Sequence, residues 1–515
     1  MEFTPSQIAQ ITRASVILDS TAPMVRGLAW DSRKIEQGWA YVGMPGERVD
    51  GNDFTCAAIQ AGATVALMTR QPSSQEREVA SDHGCGIMVV PDGEAAIVAL
   101  ASAWRSVLSA TVIGVTGSVG KTTSKALIRD VLSSQFRTSA TVGNYNNLLG
   151  APYTVLCAPA DCEMLVVEMG MDNLGQIEQI CQVARPHMGL ITNVGTSHLE
   201  YLKSRENIAR AKAELAWAVG PQGRVFLNGA GEYSDFIREY AQLDKRGVAC
   251  VRYGDACGAQ VAAGTQVVAD AQVPGRIQEA PAESAFDVFA TQVSLDDQGC
   301  PHFVLNARLP LPGADALQSA KGELTIEQAA CHLSLKGLHN VTNACGAAAV
   351  GLACGMSIQQ VAQALSQSQP ESGRQEIVRA SCGAAVFNDA YNASPESMKA
   401  ALAMLEAYNC SGRRVAVLGD MGELGSSSDQ GHESCGAAAV QRGVDWLICV
   451  GQRSRLIAQG ARAQGMSPQA ISQVEDAHQA VELLLAQLEP EDVVLVKASH
   501  FMGLDRVVRG IVQSC

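Results

Sequence analysis

The chain holds 515 residues, 47% of them hydrophobic and 17% charged, which excludes a disordered or highly charged polymer. Lys and Arg number 38 against 52 Asp and Glu, and the net charge of −14 leaves no broad basic surface for nonspecific nucleic-acid binding. No run of apolar residues is long enough for a transmembrane helix, and the opening stretch MEFTPSQIAQITRAS lacks an apolar signal core. Sixteen cysteines are scattered without a CxxC pair, many of them in apolar stretches where Cys acts as a small hydrophobe. The expectation is a reduced, cytoplasmic, monomeric protein of about three domains.

Residues 1–107 read as a small first α/β unit, with helical and strand-like runs such as AAIQAGATVALMT and CGIMVVPD, closed by the helical EAAIVALASAWRSVL. A second unit, 108–369, opens on ATVIGVTG, a short β-branched run ending in glycine, as a buried parallel strand does. KTTSKALIRDVLSS has helical spacing, and EMLVVEMG, MGLITNVG and GRVFLNG follow at intervals that suit βαβ units. Within 255–335, DVFATQVSLDDQG and HFVLNARLPLPG suggest an antiparallel β region and QSAKGELTIEQAA a loop; no role is assigned to this stretch. GLHNVTNACGAAAVGLACG reads as a small-residue helix packed closely on a neighbour. The third unit, 370–515, alternates the strands GAAVFND, RRVAVLGD, VDWLICVG and EDVVLVKAS with helices, in a Rossmann-like α/β pattern.

The sharpest local signal is Thr116-Gly117-Ser118-Val119-Gly120-Lys121-Thr122-Thr123, set between a strand and a helix. A glycine loop there aims backbone N–H groups at phosphate oxygens, and the helix N-terminus adds partial positive charge. Lys121 would reach the terminal phosphates and the Thr122 hydroxyl would ligate Mg²⁺, although Val115 stands where the strict GxxxxGK[ST] pattern has its first glycine. The bland alternative is an ordinary strand-to-helix turn. Glu168 ends the strand VVEMG and His198 lies just beyond the next, at the carboxyl edge where open parallel sheets bind ligands. Both are candidate metal or phosphate ligands, against simpler roles as a capping carboxylate and a hydrogen-bonded histidine.

SRENIARAKAELAWAV reads as a helix with Ser204 as N-cap and an apolar face of Ile208, Ala211, Leu215 and Val219. Lys212 projects from that face. It either snorkels at the edge of the stripe or is carbamylated by CO₂ into an anionic metal ligand. Asn340 reads as an N-cap, with Asn343 one turn on along the same side of the helix. Asp389 ends a strand, and Tyr391, Asn392 and Ser394 lead to a helix with Pro395 at its first position. Arg374 follows the domain break and Lys497 ends the final strand; both suit charge neutralisation or plain ion pairing. Asp420 and Glu423 in GDMGELG serve either function or a turn.

Taken in order, these motifs resemble the Mur ligases, ATP-dependent amide-bond-forming enzymes of peptidoglycan synthesis. The resemblance runs over essentially the whole chain. It rests on DSR at Asp31–Arg33, PGERVDGNDF, TGSVGKTT, GNYNNLLGAP at Gly143–Pro152, VVEMG, TNVGTSHLE, ARAKAEL, GLHNVTNA, SGRQE, NDAYNASPESMKAAL, VLGDMGELG with His432, and VKASH. Asn388 and Ala498 depart from residues common in the family.

The resemblance implies three α/β domains: a smaller N-terminal UDP-substrate domain, a central P-loop domain with a mostly parallel sheet, and a C-terminal Rossmann-like domain. It implies ATP and two Mg²⁺ as cofactors and an acyl-phosphate intermediate. Within the family, GNYNNLLGAP and DxYNAxP resemble the branch that joins D-alanyl-D-alanine to UDP-N-acetylmuramoyl-tripeptide. A ligase adding the third amino acid, or one like folylpolyglutamate synthetase, is the alternative. By resemblance, Lys121, Glu168, His198, Lys212, Arg374 and Lys497 are catalytic, and Thr122, Glu168, His198 and carbamylated Lys212 hold metal. Residues 116–123, Asn340, Asn343, Arg374, Asp389 and Asn392 bind the nucleotide; Ser32, Arg33, Asn144, Asn146 and Asn147 hold the nucleotide-sugar peptide.

Overall fold

Short β-branched runs bounded by glycine and polar turns form twenty strands in three sheets, in a computed structural model that describes residues 1–46, 49–256, 286–313, 325–371 and 376–513. The first sheet holds β1 (Ser15–Leu18), β2 (Leu28–Ala29), β3 (Ala40–Gly43), β4 (Val65–Met68) and β5 (Gly86–Val89), in the order β1-β5-β4-β3-β2. β2 to β5 pair in parallel, and β1 runs antiparallel on β5. The helix Gly93–Val107 starts at Asp92, whose carboxylate accepts from Ala95 N, and buries Ala96, Ile97, Leu100, Ala101 and Trp104 along one face.

The second sheet holds β6 (Thr111–Thr116), β7 (Thr138–Ala140), β8 (Met164–Glu168), β9 (Met188–Ile191), β10 (Arg224–Asn228), β11 (Ala249–Asp255), β12 (Val288–Leu295), β13 (Pro301–Leu309) and β14 (Thr325–His332). Its order is β14-β13-β12-β11-β10-β9-β6-β8-β7. The pairs β7–β8, β10–β11 and β11–β12 are parallel, and β12-β13-β14 form an antiparallel meander, of which the sequence suggests the first two strands. The end of QSAKGELTIEQAA is strand β14, its register locked by pairs from His302↔His332 to Leu309↔Thr325, while residues 318–324 lie outside those described. This edge strand is exposed on both faces over most of its length, so it carries no period-2 pattern to read.

The third sheet holds β15 (Glu376–Arg379), β16 (Ala385–Asn388), β17 (Arg414–Gly419), β18 (Trp446–Val450), β19 (Ile471–Val474) and β20 (Val493–Lys497), in the order β15-β16-β20-β17-β18-β19. All neighbours are parallel except β15 on β16. Apolar clusters cover both faces, one around Phe387, Leu402, Leu418 and Ile457, the other around Val417, Ile448, Val494 and Val507. Burying both faces explains the near-continuous apolar reading of its central strands.

The chain gathers into two units: Met1–Gly114 with Phe136–Met171 and Gly175–Met188, and Val115–Gln135 with Asp172–Leu174 and Gly189–Cys515. Among the described residues, no helix is long and apolar enough to cross a membrane.

Candidate functional site

In the second unit, β6 runs into the loop 116–120 and then the helix Lys121–Ser133, whose N-cap Gly120 takes φ 84°. Both loop glycines are required by their surroundings. A Cβ on Gly117 would lie 1.8 Å from Thr192 Oγ1, and one on Gly120 would lie 2.7 Å from Asn343 Oδ1. The loop is braced from the segment after β9. Thr192 Oγ1 donates to Val119 O (2.6 Å), Asn193 Nδ2 donates to the same oxygen (3.0 Å), and Asn193 Oδ1 accepts from Val119 N (2.9 Å). Ser118 Oγ accepts from Gly195 N at 2.9 Å. Thr192 and Asn193 are loop-bracing residues that the sequence reading places only within the motif TNVGTSHLE, with no role of their own, because their effect depends on contacts across the sheet.

Gly117→Ala is therefore expected to cost about 2–4 kcal/mol of stability and to abolish nucleotide binding. Denaturant titration and calorimetry with ADP check this.

Lys121 Nζ folds onto the loop, donating to Gly117 O (2.7 Å) and Ser118 O (3.4 Å). Thr116, Ser118 and Thr122 are buried in it, and Thr123 is half-buried. Asn340 is not an N-cap. The helix His339–Ala353 is capped at Leu338, so Asn340 lies inside its first turn and donates through Nδ2 to Lys336 O (2.8 Å). Asn343 donates to Asn340 Oδ1 (3.0 Å) and accepts from Ser124 Oγ (3.3 Å), which brings both asparagines to the phosphate-loop helix.

Lys212 is 1% exposed, which rules out a snorkelling side chain. Burial, and secondarily the Lys121 charge, hold its ammonium well below the ordinary lysine range. His198, at φ 65°, lies with Nδ1 2.7 Å from Glu423 Oε2 and 3.3 Å from Asp172 Oδ1. One potential donor atom from each of these three residues lies within 4.8 Å of the others, two carboxylates and an imidazole gathered at one place. The His198 imidazole beside it holds the Glu423 carboxyl below the usual carboxylate range.

At the carboxyl edge of the third sheet, Lys497 Nζ meets Asp389 Oδ2 at 2.5 Å and donates to Asn392 O at 2.9 Å. The Lys497 side chain is only 4% exposed, so its charge already has a counter-ion. Asp389→Ala would leave that ammonium buried without its carboxylate and is expected to cost about 3–5 kcal/mol in a denaturant titration. Asp420 Oδ1 accepts from Ser454 N (2.7 Å), and His432 Nε2 accepts from Met421 N (3.0 Å), so both hold the GDMGELG turn in shape. Burial pushes the His432 pKa down, in keeping with a neutral ring that accepts at Nε2. Tyr391 packs against His500 with ring centroids 5.5 Å apart. Arg374 lies outside the described residues.

The first unit carries the remaining candidates. Asp31 accepts from Arg33 N, and its carboxylate pairs with the Arg33 guanidinium (2.8 Å), which is 87% exposed; Ser32 beside it is half-buried. Glu168 is buried at the end of β8 and accepts from Asn146 Nδ2 at 2.8 Å. Asn144 O accepts from Asn146 N (2.7 Å), and Asn147 Oδ1 accepts from Gly150 N (2.8 Å) at the start of the helix Gly150–Cys157. Trp30, Tyr145 and Tyr153 form an edge-to-face ring cluster, and Lys34 Nζ donates to Tyr145 OH (3.2 Å). Tyr145 enters the sequence reading only within GNYNNLLGAP, and Trp30, Lys34 and Tyr153 are given no role there.

Three family models match the chain: the Mur ligase family catalytic domain over residues 24–105, the Mur ligase middle domain over 115–351, and the Mur ligase glutamate ligase domain over 373–500. The UDP-N-acetylmuramoyl-tripeptide–D-alanyl-D-alanine ligase of Mycobacterium tuberculosis H37Rv is 35% identical over 99% of this chain and 98% of its own length. Its namesake from Bacillus subtilis 168 is 32% identical over 95% and 94%. A crystal structure of MurF from Acinetobacter baumannii superposes with a TM-score of 0.78 and 26% identity, covering 100% of this chain and 99% of that one. Family models match the three regions in chain order and relatives match over nearly the full length, so the chain belongs to the Mur ligase family of ATP-dependent ligases.

Proposed function

We propose that this chain joins D-alanyl-D-alanine to UDP-N-acetylmuramoyl-tripeptide at the expense of ATP, in the assembly of peptidoglycan precursors. Its full-length similarity to ligases of that name carries the reading. The phosphate loop, with both glycines packed against Thr192 and Asn343, supplies the nucleotide side. In this reading residues 1–107 hold the UDP moiety, 108–369 hold ATP and 370–515 complete the site, in a cytoplasmic monomer.

Amide formation from a carboxylate is uphill in water. An oxygen of the tripeptide carboxylate attacks the γ-phosphorus of ATP, ADP leaves, and the acyl phosphate is open to attack. The amine of D-alanyl-D-alanine adds to the acyl carbon, a tetrahedral intermediate forms, the nitrogen gives up a proton to solvent, and phosphate departs. The first step sets anion against anion. The loop N–H groups and Lys121 offset that charge at the phosphates. Thr122, Glu168, His198 and Lys212, the last as its carbamate, are the proposed Mg²⁺ ligands, and bound Mg²⁺ supplies further charge neutralisation. The neutral amine that burial favours at Lys212 is the form that adds CO₂. Asn340, Asn343, Asp389 and Asn392 hold the nucleotide, Asp389 also keeping Lys497 in place, while Arg374 adds positive charge. Ser32, Arg33, Asn144, Asn146 and Asn147 hold the nucleotide-sugar peptide.

A phosphate-release assay tests the reading. Release should require ATP, UDP-N-acetylmuramoyl-tripeptide and D-alanyl-D-alanine together. Activity with a single amino acid in place of the dipeptide would assign the chain to another branch of the family.

A further inference from the structure

The segment after β9 is gripped from the far side by two carboxylates of the third-sheet region. Glu423 Oε2 lies 2.7 Å from His198 Nδ1, and Glu423 O accepts from Glu200 N at 3.2 Å. Glu396, in the first turn of the helix Pro395–Ala407, accepts from Thr196 Oγ1 at 2.8 Å. The chain adopts left-handed backbone on both sides of this contact, at His198 (φ 65°) and at Glu423 (φ 62°), neither of them glycine. Such residues persist where their surroundings over-determine them. Gly425, at φ 54°, packs so tightly that a Cβ there would lie 3.0 Å from Glu200 Cα.

The gripped segment is also the brace of the phosphate loop. Gly195 N donates to Ser118 Oγ (2.9 Å), Ser118 N to Asn193 O (3.1 Å) and Val119 N to Asn193 Oδ1 (2.9 Å). A continuous chain of contacts therefore runs from Glu396 and Glu423, through residues 193–200, to the loop that would hold ATP.

We propose that Glu423 and Glu396 are positioning residues that seat segment 193–200 against the phosphate loop and so match ATP consumption to amide formation. This rests on the ligase reading above. Neither carboxylate needs to touch the reacting atoms; Glu423 acts through His198, and Glu396 through Thr196 and Gly195.

The test compares the full-length wild type with Glu423→Ala, Glu423→Gln, Glu396→Gln, His198→Ala and the double variant His198→Ala/Glu423→Ala. Thermal unfolding, ADP affinity, and phosphate released per amide formed are measured for each. Glu423→Ala is expected to slow amide formation about tenfold while ADP affinity stays within about twofold, with phosphate release exceeding amide formation. The double variant should be no slower than His198→Ala alone, because both changes remove one unit. Glu423→Gln, which keeps the side-chain shape, carries the same comparison should the alanine variant fold poorly. Additive losses in the double variant, or phosphate and amide remaining equal in every variant, would overturn the inference alone. A wild type without dipeptide-dependent phosphate release would overturn the ligase reading and this inference with it.

Discussion

Replacing Lys121 by alanine is expected to lower kcat/KM for ligation by about 10²–10³, which is roughly 3–4 kcal/mol of transition-state stabilisation. The side chain is half-buried at the mouth of the loop, and its ammonium rests on the Gly117 and Ser118 carbonyls at 2.7 and 3.4 Å. The buried Lys212 amine lies close enough to feel the Lys121 charge, so the two nitrogens share one electrostatic neighbourhood. Without Lys121, the loop N–H groups and the helix N-terminus still attract phosphate, so ADP affinity should fall less than turnover. Lys121→Arg should not restore the rate, since a planar fork does not replace a compact point charge in a tight loop. Steady-state phosphate release beside ADP calorimetry makes the comparison. Turnover near the wild-type level in Lys121→Ala would remove the loop from the chemistry.

The phosphate loop was legible because its chemistry is local: two glycines, a lysine and a threonine at fixed spacing, between a β-branched run and a helical one. The central strands were legible for a similar reason, since both faces are buried and the apolar run is unbroken. Edge strands were not. β14 is mostly exposed and β15 is only half-buried, so neither carries an alternating pattern, and both are held by their neighbour's ladder. The Asn340 cap misplaces the helix start by two residues. Gly337 takes φ 90°, which turns the chain early enough for Leu338 to become the cap.

Pairings made by the sheet lay furthest from view. Asp389 and Lys497 stand 108 positions apart, and they meet because β16 and β20 are parallel neighbours with Asn388 opposite Val496. The sequence marked both residues but gave no sign that one neutralises the other. Thr192 and Asn193 open TNVGTSHLE without a role of their own and Asp172 stands in no motif, since their value lies in what the fold brings to them: the phosphate loop for the first two, His198 for the third.

Replacing Lys212 by methionine is expected to abolish turnover, by about 10² or more, while making the protein more stable. The two effects have one cause. Methionine fills a similar volume without an amine to desolvate, and Lys212 is 1% exposed among Ile208, Ala211 and Leu215 on the helix Arg205–Ala218. The folded pKa lies well below the ordinary 10.5, so between those values the unfolded chain carries a proton that the folded chain does not. Stability therefore rises with pH across that window, and the penalty is full below the folded value. Lys212→Met should lose this slope and show its largest gain in unfolding temperature at the acidic end. The same depression keeps the amine neutral, as addition to CO₂ requires: the nitrogen lone pair forms the N–C bond, one proton leaves to solvent, and an anionic carbamate remains. Wild-type activity should accordingly fall in CO₂-depleted buffer and return with bicarbonate, and it should fall with acid as the amine protonates. Thermal melts across pH and phosphate release with and without bicarbonate measure both halves. A methionine variant that still turns over, or a wild type indifferent to CO₂, would leave Lys212 as a buried amine that costs stability and contributes nothing to the reaction.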